Sequence, residues 1–138
     1  MVREVEVRPL PDPWQAEETG WFRASGIGSG GGIRAQVHAF EPLEQNPDYL
    51  LDRVGARREG PLGRPQLVTL PRELADGVAA LAFELEPDDS LAARIDFVRR
   101  AWDLDILVSA RTHEVDMVEE LTAAMVQLLA VVRPKESR

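Results

Sequence analysis

Gly26-Ile27-Gly28-Ser29-Gly30-Gly31 carries the glycine spacing that cradles a pyrophosphate when it opens a helix. Here the run is followed by Ile33, Ala35, Val37 and Ala39 alternating with Arg34, Gln36 and His38, the period of a half-buried strand. Glycines that open a strand have no helix dipole to offer, so the run is expected to be a flexible hairpin connection without nucleotide chemistry. His113-Glu114 begins a zinc-helix motif, but Met117 stands where the second histidine must be. The whole chain holds two histidines and no cysteine, so a thiolate or imidazole metal site is not expected. Ser25, Ser29, Ser90 and Ser109 all lie outside a Gly-x-Ser-x-Gly elbow. Asp88-Asp89 and Asp103-x-Asp105 resemble paired carboxylates, yet the residue order of a calcium loop is absent and aspartate at hairpin turns has its own backbone role. No catalytic residue, metal or cofactor is therefore assigned.

One cluster remains. Arg94, Arg99, Arg100 and Arg111 fall on neighbouring strand-like segments near Trp102. Arginine and tryptophan are favoured at binding hot spots, which makes Arg94, Arg99, Arg100 and Trp102 the candidate contact residues for an anion or a peptide. The competing reading is cross-strand pairing with Glu84, Glu86 and Asp96, which would neutralise the arginines.

The composition sets the frame for these residues. The 138 residues are 44% hydrophobic and 29% charged, a globular balance rather than that of a disordered or membrane chain. Folding a chain of this size buries about two-thirds of its surface, enough for a core without disulfides. The net charge is −8, which repels phosphate backbones and argues against nucleic acid as a partner. No segment has the apolar run of a secretion signal or a membrane span, so a cytoplasmic location is expected unless a leader has been removed.

The elements that must position the candidates are marked by punctuation. Pro9, Pro11 and Pro13 end an N-terminal strand. Trp21–Ala24 and the strand from Ile33 form a hairpin across the glycine run. Asn46-Pro47 starts a helix running to Arg58, which Gly60 and Pro61 stop. A short strand at Gln66–Leu70 and a turn near Leu74–Gly77 precede three strands, near 79–86, 91–100 and 104–110, read as an antiparallel meander. Val118, Leu121, Met125, Leu128, Leu129 and Val132 recur at helical spacing. The expected fold is α+β, a single antiparallel meander sheet with two main helices on one face. One domain spans 1–134, with 135–138 as a disordered tail. Phe83, Leu85, Ile95, Phe97, Ile106, Val108, Leu121, Met125 and Leu128 form the expected core.

The order Leu81-Ala82-Phe83-Glu84-Leu85, then Arg94-Ile95-Asp96-Phe97-Val98, then Leu104–Ala110 and the helix Val118–Val132 resembles a known scaffold. It is similar to the small α+β domain shared by PsbP-like, DcrB-like and LpqN-type actinobacterial proteins and by Eag-type effector chaperones. The chain departs from LpqN-type members in lacking a lipoprotein leader with its lipidated cysteine. The resemblance implies a scaffold used for binding and brings no catalytic motif. The expected function is a non-catalytic protein-binding module, accessory factor or chaperone, with a protein partner that includes a second copy of the chain as one option. The alternative is a small apolar or lipid-like ligand held between sheet and helix, where Ala35, Ala39, Ala79 and Ala93 leave room. An enzyme using only carboxylates and arginines is the third reading.

Overall fold

The computed structural model describes residues 2–46 and 48–135. Alternation drives most of its architecture. In β5 (Ile33–Phe40) every second residue, Ile33, Ala35, Val37 and Ala39, is buried, so one face of the strand is committed to the core. β7 (Gly77–Leu85), β8 (Leu91–Ala101) and β9 (Leu104–Thr112) form the expected meander, with β8 buried on both faces from Ile95 to Val98. With β3 (Trp14–Ala16), β4 (Trp21–Ala24) and β6 (Gln66–Val68) they give the all-antiparallel order β3-β4-β5-β9-β8-β7-β6. β1 (Val2–Arg3) pairs with the far end of β5, and β2 (Val5–Val7) pairs separately with β10 (Val132–Pro134).

The fold is thus α+β, a mainly antiparallel sheet with one main helix, α2 (Val118–Val131). Leu121, Ala124, Met125, Leu128 and Leu129 of α2 are buried in one cluster with Ile95, Phe97, Ile106 and Val108 of the sheet. Trp14, in a short strand that its flanking prolines conceal in the sequence, joins this cluster and donates its indole N–H to the carbonyl of Ala124 at 2.8 Å.

Several expectations are corrected. The helix expected over 47–58 is α1 (Tyr49–Arg53), only five residues long; Pro47, its expected first residue, lies outside the described residues. Gly55, at φ +68°, ends it early, because a left-handed residue stops the helical hydrogen-bond pattern. It does not share a face with α2. Leu50 and Val54 pack on Ala80 and Val98, whose neighbours in sequence, Ala79 and Phe97, face the other way into the α2 cluster. The sheet is therefore covered on both faces, fully by neither helix. Phe83 and Leu85, expected in the core, are exposed, since the main cluster is centred on β5, β8 and β9 and this end of β7 extends beyond it. The expected tail is tied at its first residue, where Lys135 N–H donates to the Glu4 carbonyl at 3.0 Å; residues 136–138 lie outside the described residues.

The glycine run is also less free than expected. The Glu114 carboxylate accepts from the Ser29 backbone N–H at 2.9 Å and from its hydroxyl at 2.8 Å. Gly28 has φ +79°, a conformation that favours glycine, and a Cβ there would displace that carboxylate.

Candidate functional site

The four candidate contact residues do not form one patch. Arg94 and Trp102 lie eight residues apart on an extended hairpin, which separates their Cα atoms by ~26 Å. Arg94 is exposed and donates to Asp96 at 2.9 Å. Asp96 is buried and also accepts from the Ser109 hydroxyl at 2.6 Å. Arg99, one residue out of phase with Arg100, lies on the other face and donates to Asp76 at 3.0 Å. Arg111 meets Glu84 at 3.6 Å and also Glu86, which His113 approaches at 3.3 Å. Intramolecular pairing, the competing reading of these arginines, is what the geometry contains.

Arg100 is the most deeply engaged of them. It grips Asp105, its direct cross-strand partner, at 2.8 and 3.3 Å, and donates to the carbonyls of Gln45 and Glu44 at 2.9 and 2.8 Å. The bond to Asp105 raises Arg100 further above its ordinary guanidinium range. Asp105 is fully buried, and a second guanidinium, Arg53, stands 3.5 Å from it. Arg53 also lies over the rings of Phe40 and Tyr49, at 5.0 and 5.4 Å from their centroids. Two cations on one buried carboxylate fix the loop before α1 to the β8–β9 hairpin. The Asp103-x-Asp105 spacing hinted at a carboxylate pair, but it splits into a turn residue and this buried anchor.

Trp102 stands apart. It occupies the β8–β9 turn at φ +53°, with Asp103 at φ +57°, and its side chain is 55% exposed. Both central residues are left-handed, as in a type I′ turn that ordinarily takes Asn-Gly. His38, expected on a wet face, is half-buried and stacks on Phe40 with ring centroids 5.6 Å apart. Burial pushes its pKa below the ordinary histidine value.

Two clefts went unnoticed in the sequence. The larger is an open groove of about 1030 Å³ between α2 and the edge strands, lined by Leu67, Leu70, Leu81, Phe83, Val118 and Val126, with Asp116 and Glu119 as its charged residues. Phe83 is 40% exposed there, whereas Leu67, whose cross-strand partner is Ala80, points to the α1 face of the sheet. Ala35, Ala39, Ala79 and Ala93, expected to leave a cavity, are buried and line neither cleft. The smaller cleft, about 400 Å³, lies between α1 with its following loop and the sheet, lined by Arg53, Arg58, Phe83, Leu85, Arg94 and Asp96 among others. No group of three histidine, cysteine or acidic side chains suited to a metal occurs among the described residues. No helix among the described residues is long and apolar enough to cross a membrane.

Comparison with protein-family models and with curated protein sequences found no match for this chain.

Proposed function

We propose that the chain is a non-catalytic protein-binding module, an accessory factor or chaperone, that receives its partner in the groove between α2 and the β6–β7 edge. The observation that carries this reading is exposed Phe83 beside the partly buried Leu81, Val118 and Val126 in an open apolar groove next to the last strand of the sheet. Contiguous exposed apolar surface rimmed by polar residues is uncommon on a chain that acts alone, and an edge strand adds a row of backbone groups that an extended segment can pair with. The similarity in element order to the PsbP/DcrB-like scaffold points the same way.

The groove also lies between sheet and helix, where the alternative apolar or lipid-like ligand was expected. Its openness favours a macromolecular partner, because small-molecule sites enclose most of their ligand. A second contact at Trp102 has its own observation: a bulky residue held left-handed and half exposed is costly locally, and such outliers cluster at functional positions.

Phe83→Asp and Ala123→Asp, both in the groove lining, test the reading. Both side chains are exposed, so circular dichroism and the melting temperature should stay near wild type while capture of a stoichiometric partner from cell extract is lost. Partner capture that survives both changes would refute the groove as the binding surface. A small molecule found by native mass spectrometry in the wild type and absent from both variants would establish the alternative.

A further inference from the structure

The smaller cleft holds positive charge that the rest of this acidic chain does not. Residues 52–64 carry Arg53, Arg57, Arg58 and Arg64 against Asp52 and Glu59, with Arg57 3.5 Å from Asp52. Around the cleft Asp96 has Arg94 and Asp105 has Arg100, while Glu84 shares Arg111 with Glu86. Arg53 is then a second cation on Asp105, its buried Nε facing that carboxylate at 3.5 Å, beyond a good hydrogen bond. Arg58 is exposed and has no carboxylate partner among the described residues. Two aromatic rings restrain the Arg53 guanidinium, and Glu84 Oε1, in the same lining, is likewise buried without a hydrogen bond. The remaining lining is apolar: Val54, Pro61, Pro65, Ala82, Phe83 and Leu85.

We infer that this cleft is a binding site for a small organic oxyanion, a phosphate or carboxylate carried on an apolar body, with Arg53 and Arg58 as its cationic contacts. Guanidinium groups bind such anions through paired, charge-assisted hydrogen bonds. A cleft of about 400 Å³ suits a ligand the size of a substituted ring. The net charge of −8 does not oppose this, because a ligand inside a cleft responds to the nearby guanidiniums and the distant carboxylates are screened. This site is independent of the groove proposed above; Phe83 alone lines both.

Calorimetric titration of the full chain with phenyl phosphate, inorganic phosphate, benzoate and benzylamine tests the inference. Phenyl phosphate should bind saturably at one site, about tenfold or more tighter than inorganic phosphate because its ring is buried. Benzoate binding would extend the site to carboxylates, whereas phenyl phosphate binding without it would restrict the anion to phosphate. Arg58→Ala should weaken phenyl phosphate about tenfold, and Arg58→Lys should recover part of that loss. Arg58 has no carboxylate partner and is exposed, so both variants should fold. Absence of saturation at millimolar phenyl phosphate, benzylamine binding as tightly, or indifference to Arg58→Ala would overturn the site.

Discussion

Arg100 and Asp105 face each other across the β8–β9 hairpin, and the guanidinium holds both carboxylate oxygens while also reaching the carbonyls of Glu44 and Gln45. A residue whose type and neighbourhood mark it for the surface is thus the clamp that joins the segment before α1 to the sheet. Removing Arg100 leaves the buried Asp105 with Arg53 alone, at 3.5 Å and without a hydrogen bond, and takes the donor from two carbonyls; breaking a buried pair of this kind typically costs ~3–5 kcal/mol. Arg100→Ala should therefore lower unfolding free energy by about that amount, whereas Arg3→Ala, whose partner Glu41 is as exposed as Arg3 itself, should stay within about 0.5 kcal/mol. Urea denaturation of the two variants separates these outcomes, and equal losses would refute the assignment.

The core divides as sharply. Phe97 and Ile106 are fully buried under α2, so truncation to Ala should cost ~2–5 kcal/mol in each case. Phe83→Ala should cost much less, below about 1.5 kcal/mol, because the removed atoms are partly hydrated already. Thermal or denaturant unfolding at matched conditions measures the contrast.

What the sequence made legible follows from periodicity. The alternation in β5, β7, β8 and β9 and the three- and four-residue spacing of Leu121, Met125 and Leu128 are local signals, and they led to the right elements. What alternation cannot tell is which face each helix covers and how far along the sheet the cover extends. For that reason α1 was expected beside α2, and Phe83 and Leu85 were expected inside. The arginines were legible as a cluster in sequence, but Arg99 and Arg100, adjacent in the chain, necessarily point to opposite faces of the strand. Neither cleft was legible, because each is lined by residues distant in sequence, such as Leu67 with Val126 and Arg58 with Arg94.

Glu114 and Ser29 join the glycine loop to the start of the terminal helical segment across 85 positions of sequence. Gly28→Val should destabilise the fold by more than about 1 kcal/mol, since a β-branched residue tolerates a positive φ poorly and would displace the carboxylate. Amide hydrogen exchange at Ser29 should be slowed in the wild type and accelerated in Glu114→Gln. Exchange at an unprotected rate in the wild type would show that the loop is free.

His38 gives the stability a dependence on pH with a definite sign. Burial lowers its folded pKa below the ordinary value, so between the two values the unfolded chain binds more protons than the folded one. Its contribution is full above pH ~6.5 and is lost progressively as pH falls towards the folded pKa. Stability measured from pH 7.5 down to 5.5 should decline in the wild type and decline less in His38→Gln. Identical slopes would show that the decline comes from carboxylates instead.

The β8–β9 turn separates local conformation from contact. Trp102 and Asp103 both adopt positive φ, where asparagine and glycine are at ease and tryptophan is not. Replacing the pair with Asn-Gly should keep the type I′ geometry, remove local strain and raise stability by about 0.5–1 kcal/mol. If Trp102 also contacts a partner or a second copy of the chain, the same change weakens that association while the melting temperature rises, a combination that a general loss of folding cannot produce. Sedimentation velocity of both proteins, alone and with the captured partner, reads the association, and calorimetry reads the stability. A fall in melting temperature would mean that the indole closes the core despite its exposure, and would remove Trp102 from the contact residues.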